Sequence, residues 1–352
     1  LASFFILNPL ITFVFKTLKM KYLFLLIFIF TICLQSTSQP SNPPQVSVKD
    51  NAFVVNDKPL VMRGLNTSDP ERLYNQGHWD MSYFETIKSW GANVVRFPVH
   101  PSAWRRVGKE KYLKLLDEGV LLASSQKMYV IIDWHSIGNL RTEMYQADGY
   151  ETTRKETFEF WRTMAKHFKG NNTVAFFELF NEPTTYNGEL GTCSWQEWKS
   201  LNEEIIGIIR AHGNTAVPLV AGFNWAYDLT QIAADPINAE GIGYVSHPYP
   251  QKRQKPWEEK WTNDWGFVKK KYPLILTEIG FAGAEEKGAH VPVISDESYG
   301  EAIMKYCDDL NISWVAWVFD PSWAPSLFSN WNYDLTRQGK FFKKALTDRK
   351  DK

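Results

Sequence analysis

Apolar residues fall along the chain in short runs, separated by longer stretches where they recur every three or four positions. The runs lie at 60–65, 93–99, 128–133, 174–180, 217–221, 243–246, 274–277 and 314–319. Short apolar runs bounded by turn residues read as strands. The stretches between them read as helices at 80–90, 110–126, 153–169, 194–211, 257–271 and 298–311, with a last one at 338–350. Segment 226–234, between the fifth and sixth runs, has the weakest helical pattern. Strands alternating with helices predict an α/β fold with a parallel sheet. Eight such units over about 290 residues predict a (β/α)8 TIM barrel in a single domain. A doubly wound sheet shares the alternation, but it calls for a Gly-rich phosphate loop after its first strand, and none follows 60–65.

Ahead of the repeat, VSVKDNAFVVNDKPLVMRG reads as short strands with turns at Asp50-Asn51 and Asn56-Asp57. QPSNPPQV at 39–46 is a Pro/Ser spacer, which leaves 47–352 for the barrel. Further upstream, Met20-Lys21 precedes an apolar run from Tyr22 to Leu34 and then polar QSTSQP. That order predicts a secretory signal at 20–38, cleaved near Ser38, with residues 1–19 as sequence upstream of a start at Met20. The run is short for a membrane span. An uncleaved anchor is the competing reading. A secreted, periplasmic or cell-surface location is the expectation.

Charge narrows the choice of partner. Lys16, Lys19 and Lys21 are the only charges before position 39, so 36 basic residues face 39 acidic ones in the remainder. No basic patch stands out, which argues against nucleic acid. Of three cysteines, Cys33 lies in the signal, and whether Cys193 and Cys307 pair stays open. No CxxC or His-rich spacing suggests a metal. Fifteen tryptophans are many for 352 residues. They suit both barrel packing and stacking on flat ligand faces such as sugar rings.

Barrel chemistry sits at the carboxyl ends of the strands. Those ends carry Arg96, Pro98 and His100; Asp133-Trp134-His135; Asn181-Glu182; Asn224-Trp225; His247 and Tyr249; Thr277-Glu278; and Trp317 with Asp320. The carboxylates Glu182 and Glu278 end the fourth and seventh strands. Cleaving a glycosidic bond takes two flanking carboxyl groups, one to protonate the leaving oxygen and one to attack carbon or activate water. Such a pair works only when one carboxyl holds its proton while the other stays ionised. Glu178 lies four residues before Glu182, about 13 Å away along an ideal strand. It is expected inside the barrel, below the reaction level, where a buried carboxylate needs a partner. Arg63 on the first strand is the expected partner.

The ordered set Arg96, His135, Asn181-Glu182-Pro183, His247-Pro248-Tyr249, Glu278 and Trp317 resembles the signature of glycoside hydrolase family 5, over roughly residues 50 to 345. The resemblance implies a retaining glycosidase with Glu182 as acid/base and Glu278 as nucleophile. It implies that Arg96 keeps the nucleophile ionised, Tyr249 hydrogen-bonds it, and Asn181 binds the sugar 2-OH. His135 and His247 would bond substrate hydroxyls and orient the carboxylates, and Trp317 would be the sugar platform. Loops at 66–78, 184–194 and 320–333, with their edges, carry Tyr74, His78, Trp79, Tyr186, Trp323, Phe328, Trp331 and Tyr333 as further contacts. The expected substrate is β-1,4-glucan, with β-mannan or xyloglucan as alternatives. No cofactor and no metal are expected, and the protein should be a monomer free of the membrane. A metal-dependent hydrolase would need a His pair at ligand spacing, which is missing. An inactive carbohydrate-binding barrel would be expected to lack a carboxylate of the pair, and both are present.

Overall fold

The computed structural model describes residues 42–350. The expected signal at 20–38 and the segment upstream of it lie outside these residues. Eight parallel strands form a closed barrel: β1 Arg63–Asn66, β2 Val94–Val99, β3 Tyr129–Trp134, β4 Val174–Glu178, β5 Val217–Ala221, β6 Gly243–Val245, β7 Leu274–Ile279 and β8 Ser313–Ala316. They pair in chain order, and β8 closes on β1 through Trp314–Arg63, Val315–Gly64 and Ala316–Leu65. The expected (β/α)8 architecture is present. The ladder starts later than expected on β1 and stops earlier on β4 and β8.

Period-two alternation sorts each strand into two faces. On β2, Val95, Phe97 and Val99 pack outward in the helix-facing core, while Val94 and Arg96 point into the barrel. Helices Met81–Ser89, Lys109–Ser125, Arg154–His167, Trp195–Ala211, Glu297–Leu310 and Arg337–Thr347 surround the strands. Their starts are locally encoded. Asp80, Thr153, Ser194, Asp296 and Thr336 each accept a backbone N–H of the first turn, and Ser194 with Glu197 completes a capping box.

One expected helix is broken. Segment 257–271 forms the helix Glu258–Asp264 and then a 3-10 helix Gly266–Lys270. At the break, Gly266 runs against Tyr306 so closely that a Cβ would lie 2.1 Å from its hydroxyl. The weak segment 226–234 contains a 3-10 turn at Thr230–Ala233.

A small antiparallel sheet, Val46–Lys49, Ala52–Val55 and Lys58–Pro59, plugs the amino end of the barrel. Its Val46 and Phe53 join Met62, Val94, Ile131, Phe176, Leu219, Val245, Ile275 and Val315 in one apolar cluster. Phe53 meets Phe176 edge to face at 4.9 Å. Cys193 and Cys307 are buried free thiols. No helix among the described residues is long and apolar enough to cross a membrane.

Candidate active site

Two residues above the apolar cluster, the inward positions become polar. Val94 gives way to Arg96, Ile131 to Asp133, Phe176 to Glu178, Val245 to His247 and Ile275 to Thr277, and all five polar groups are fully buried. Arg96 is the hub. Its Nε donates to Glu178 Oε2 at 2.7 Å. Nη1 donates to Asn66 Oδ1 at 2.8 Å and Glu278 Oε1 at 3.0 Å. Nη2 donates to Glu178 Oε1 at 3.0 Å and Asn181 Oδ1 at 2.7 Å, and lies 3.0 Å from Asp133 Oδ2. A guanidinium has five N–H groups in a rigid fork, and here each finds an acceptor.

Glu178 is inside the barrel as expected, but its partner is Arg96 and not Arg63. The reason is parity. On β1 the glycine Gly64 and Asn66 face inward, so Arg63 faces the other way, where its Nη1 reaches the Arg349 carbonyl at 3.4 Å. The path between the two glutamates also differs from the regular strand expected. The regular ladder of β4 ends at Glu178, and the chain then leaves the period of two. The Asn181 N–H donates to the Trp134 carbonyl, and Glu182–Pro183 pairs with Ile137–Asn139 in a small separate sheet. Glu178, Asn181 and Glu182 therefore all turn inward. A single imidazole lies between the two carboxylates: His247 Nδ1 is 3.0 Å from Glu182 Oε1, and its Nε2 is 3.7 Å from Glu178 Oε1.

The hydrogen bonds around His247 fix its ring. Thr277 Oγ1 donates to Glu178 Oε1 at 2.9 Å, so at 2.9 Å from Nε2 it must accept. The Nε2 therefore carries a hydrogen. Burial opposes a charge on the ring, but Glu278 and the bonds to Glu178 and Glu182 outweigh it and push the pKa up to about 9. The raised pKa favours an imidazolium whose Nδ1–H is directed at an ionised Glu182.

Glu278 sits where β7 shifts register between Leu276 and Ile279, which lets Thr277 and Glu278 both reach the interior. Its Oε1 accepts from Arg96, and its Oε2 accepts from the Tyr249 hydroxyl at 2.8 Å. Its pKa is raised: burial, with Glu182 adding to it, outweighs the opposing pull of the cations His247 and Arg96 and of the Tyr249 hydrogen bond. Donors on both oxygens favour the ionised form. Burial shifts Tyr249 well upward, so its hydroxyl keeps the proton it donates. Burial also opposes charge on Asp133 and on His135, which meet at 2.6 Å through Oδ2 and Nδ1. The Glu178 pKa is lowered, because Arg96 and the His247 hydrogen bond overcome the cost of its burial.

Each expected site residue thus reaches one place. An oxygen of Glu182, an oxygen of Glu278 and a nitrogen of His247 lie within 4.8 Å of one another. These three could surround a cation by distance alone, beside the Arg96 guanidinium that already contacts Glu278. The Trp317 ring lies parallel to His135, at 5.4 Å and 6°. His135, Asn181, Glu182, Tyr249, Glu278 and Trp317 line a cleft of about 980 Å³, with Tyr145, Tyr150, Trp225, Lys252 and segment 290–293, while Arg96 and His247 are buried behind them.

The loop aromatics fare differently. Trp79 and Phe328 are buried in the outer core, and Tyr186 is exposed. His78 stacks on Trp331 at 3.6 Å. Trp323 borders a separate cavity of about 490 Å³ beside Arg72 and His100. The loops after β3 and β7, which supply Tyr145, Tyr150 and 290–293, were not anticipated. Asn66 was also missed. Its inward parity on β1 was the available signal, and its Nδ2 ties β1 to the Thr277 and Ala316 carbonyls.

Comparison with known proteins agrees with this geometry. The family described as cellulase (glycosyl hydrolase family 5) matches residues 54–322. An endoglucanase of Clostridium saccharobutylicum is 27% identical over 305 residues, 83% of this chain and 62% of that protein. Endoglucanase A of Butyrivibrio fibrisolvens is 29% identical over 214 residues, 58% of this chain and 45% of that protein. The chain thus spans between 45% and 62% of the length of these two relatives. A β-glucanase of Saccharophagus degradans superposes with a TM-score of 0.86 at 44% identity, covering 88% of this chain and 94% of that one. That β-glucanase has also been crystallised with cellotetraose. With more than half of its residues matched by the family and its strand ends carrying the arginine, histidines and glutamate pair, the chain belongs to the cellulases of glycosyl hydrolase family 5.

Proposed function

We propose that the protein is a retaining hydrolase of β-linked glucan, acting on internal β-1,4 bonds. Glu278 attacks the anomeric carbon through a carboxylate oxygen while the bond from that carbon to the leaving oxygen breaks. Glu182 gives its proton to that oxygen. A glycosyl ester on Glu278 results. Glu182, now a carboxylate, then takes a proton from water, the water oxygen attacks the anomeric carbon, and Glu278 leaves as a carboxylate.

The observation that carries this reading is the approach of an oxygen of Glu182, just past β4, to within 4.8 Å of an oxygen of Glu278 on β7. Retaining pairs stand about 5–5.5 Å apart, whereas inverting pairs are wider to admit a water. The supporting groups follow from their contacts. Arg96 and Tyr249 hold Glu278 from both oxygens and keep it ionised and aimed. His247 orients Glu182. The Asn181 Nδ2 is buried, has no protein acceptor and borders the cleft, which suits a sugar 2-hydroxyl. Trp317 and His135 offer a flat and a polar contact beside the pair. The choice of β-glucan draws support from the cellotetraose complex of the Saccharophagus degradans enzyme and from the relatives named endoglucanases.

Export through the 20–38 signal, a barrel domain at 47–352, and action as a cofactor-free monomer complete the proposal. Its test is Glu182→Ala. Hydrolysis of a β-1,4-gluco-oligosaccharide should fall by about 10³-fold or more, while an aryl glycoside with added azide should recover and yield a β-glycosyl azide. An α-azide, or full activity without azide, would refute the assignment.

A further inference from the structure

One turn at the rim of the cleft is built against backbone preference. Asn224, Trp225 and Ala226, which follow β5, have φ of 59°, 55° and 57°. Left-handed backbone is uncommon for residues other than glycine, and it persists where the surroundings hold it. Here the holds come from the segments that carry the acid. The Asn224 N–H donates to the carbonyl of Thr184, two residues past Glu182, at 3.4 Å. The His247 N–H donates to the Ala226 carbonyl at 3.1 Å, and Ser246 Oγ donates to the Tyr227 carbonyl at 3.0 Å.

A fourth hold comes from Lys252. Its Nζ donates to the Asn224 carbonyl at 2.9 Å and lies 4.7 Å from the centroid of the Trp225 ring. The Trp225 indole N–H is tied in turn to Gln146 Oε1 at 2.8 Å. The ring is thus fixed by its backbone, by its edge and by a cation. Both Trp225 and Lys252 border the cleft. Trp317, by contrast, stacks with His135 and Trp323 on the side of β3 and β8. The two rings stand on different walls, and Trp225 is on the wall of Glu182. Burial lowers the Lys252 pKa to about 8, with Glu182 opposing the shift, so the ammonium is held at a cost that a surface lysine would avoid.

We propose that Lys252 is a positioning residue for the leaving-group sugar: its ammonium clamps the left-handed turn that presents Trp225 beside Glu182. The ring then fixes the sugar whose oxygen Glu182 protonates. The inference rests on the reading of Glu182 as the acid. It implies that Lys252 matters for substrates with a sugar on the leaving side and little for those without one.

The experiment compares kcat/KM of Lys252→Met on cellohexaose and on a nitrophenyl β-cellobioside, whose leaving group is a phenolate. The expected result is a loss of about ten-fold or more on cellohexaose against less than about three-fold on the aryl glycoside. Lys252→Arg, which keeps the charge and the donors, should recover most of the loss, and Trp225→Ala should show the same split. Equal losses on both substrates would make Lys252 a structural residue and overturn the proposal, as would no loss on either. Glu182→Gln, assayed alongside, separates the two claims. If it keeps cellohexaose activity, the acid assignment fails and the proposal falls with it. If it collapses while Lys252→Met loses activity evenly, only the proposal fails.

Discussion

The barrel interior has two layers made by the same strands, one pleat apart. The lower layer is Val94, Ile131, Phe176, Val245 and Ile275, closed from beneath by Phe53. The upper layer is Arg96, Asp133, Glu178, His247 and Thr277. The lower layer gains from removing apolar surface from water, which is non-directional and tolerates swaps that keep volume. The upper layer has the opposite economy. Taking an ion out of water costs several kcal/mol, so each charge must be matched by partners in good geometry. The comparison teaches a division of labour. The apolar floor lowers the local dielectric, and in the proposed mechanism the charged layer above it uses that low dielectric to hold Glu182 and Glu278 in different roles.

Substitution in each layer should separate these contributions. The largest effect is expected for Arg96→Met, which leaves Glu178, Asp133 and Glu278 buried without the guanidinium that joins them. Breaking such a network costs about 3–5 kcal/mol, and activity should fall by about 10³-fold or more. Denaturant melts and kcat/KM would record both losses together. Phe176→Ala should cost a similar 3–5 kcal/mol or so through the cavity it leaves, yet kcat per folded molecule should stay within about two-fold. A large kcat loss there would show that the floor shapes the chemistry directly.

A smaller effect is expected from pH. The folded His247 pKa of about 9 lies above its ordinary value of 6.5. A raised pKa means the native state binds the proton more tightly than the unfolded chain does. The resulting stability is fully present below about pH 6.5 and is lost as pH rises through about 9. The Tm of the parent should fall across that window more steeply than that of His247→Gln. Parallel curves would contradict a cationic His247.

The fold was legible in the sequence because β/α alternation needs only a count of runs and their spacing. The site residues were legible because strand ends can be located to within a residue or two. Glu178 shows where that reading stops. Its burial followed from its place in an apolar run, but its partner depended on the parity of β1, and the ladder there begins at Arg63, later than the apolar pattern implies. The departure from period two between Glu178 and Glu182 was invisible, since it depends on pairing with the distant segment Ile137–Asn139. Loop aromatics were the least legible. Trp79 and Trp323 have the same composition signal, yet one donates its indole N–H to the Leu115 carbonyl in the core and the other borders a cavity. The side to which a loop folds decides this, and no local pattern encodes it.

In the proposed mechanism Glu278 becomes covalently glycosylated while Glu182 moves the proton. A 2-deoxy-2-fluoro-cellobioside with a good leaving group slows the second step and should trap the ester. Peptide mapping by mass spectrometry should find the label on Glu278, with the β-anomer released first during turnover of the normal substrate. A label on Glu182, or no adduct together with initial release of the α-anomer, would contradict it.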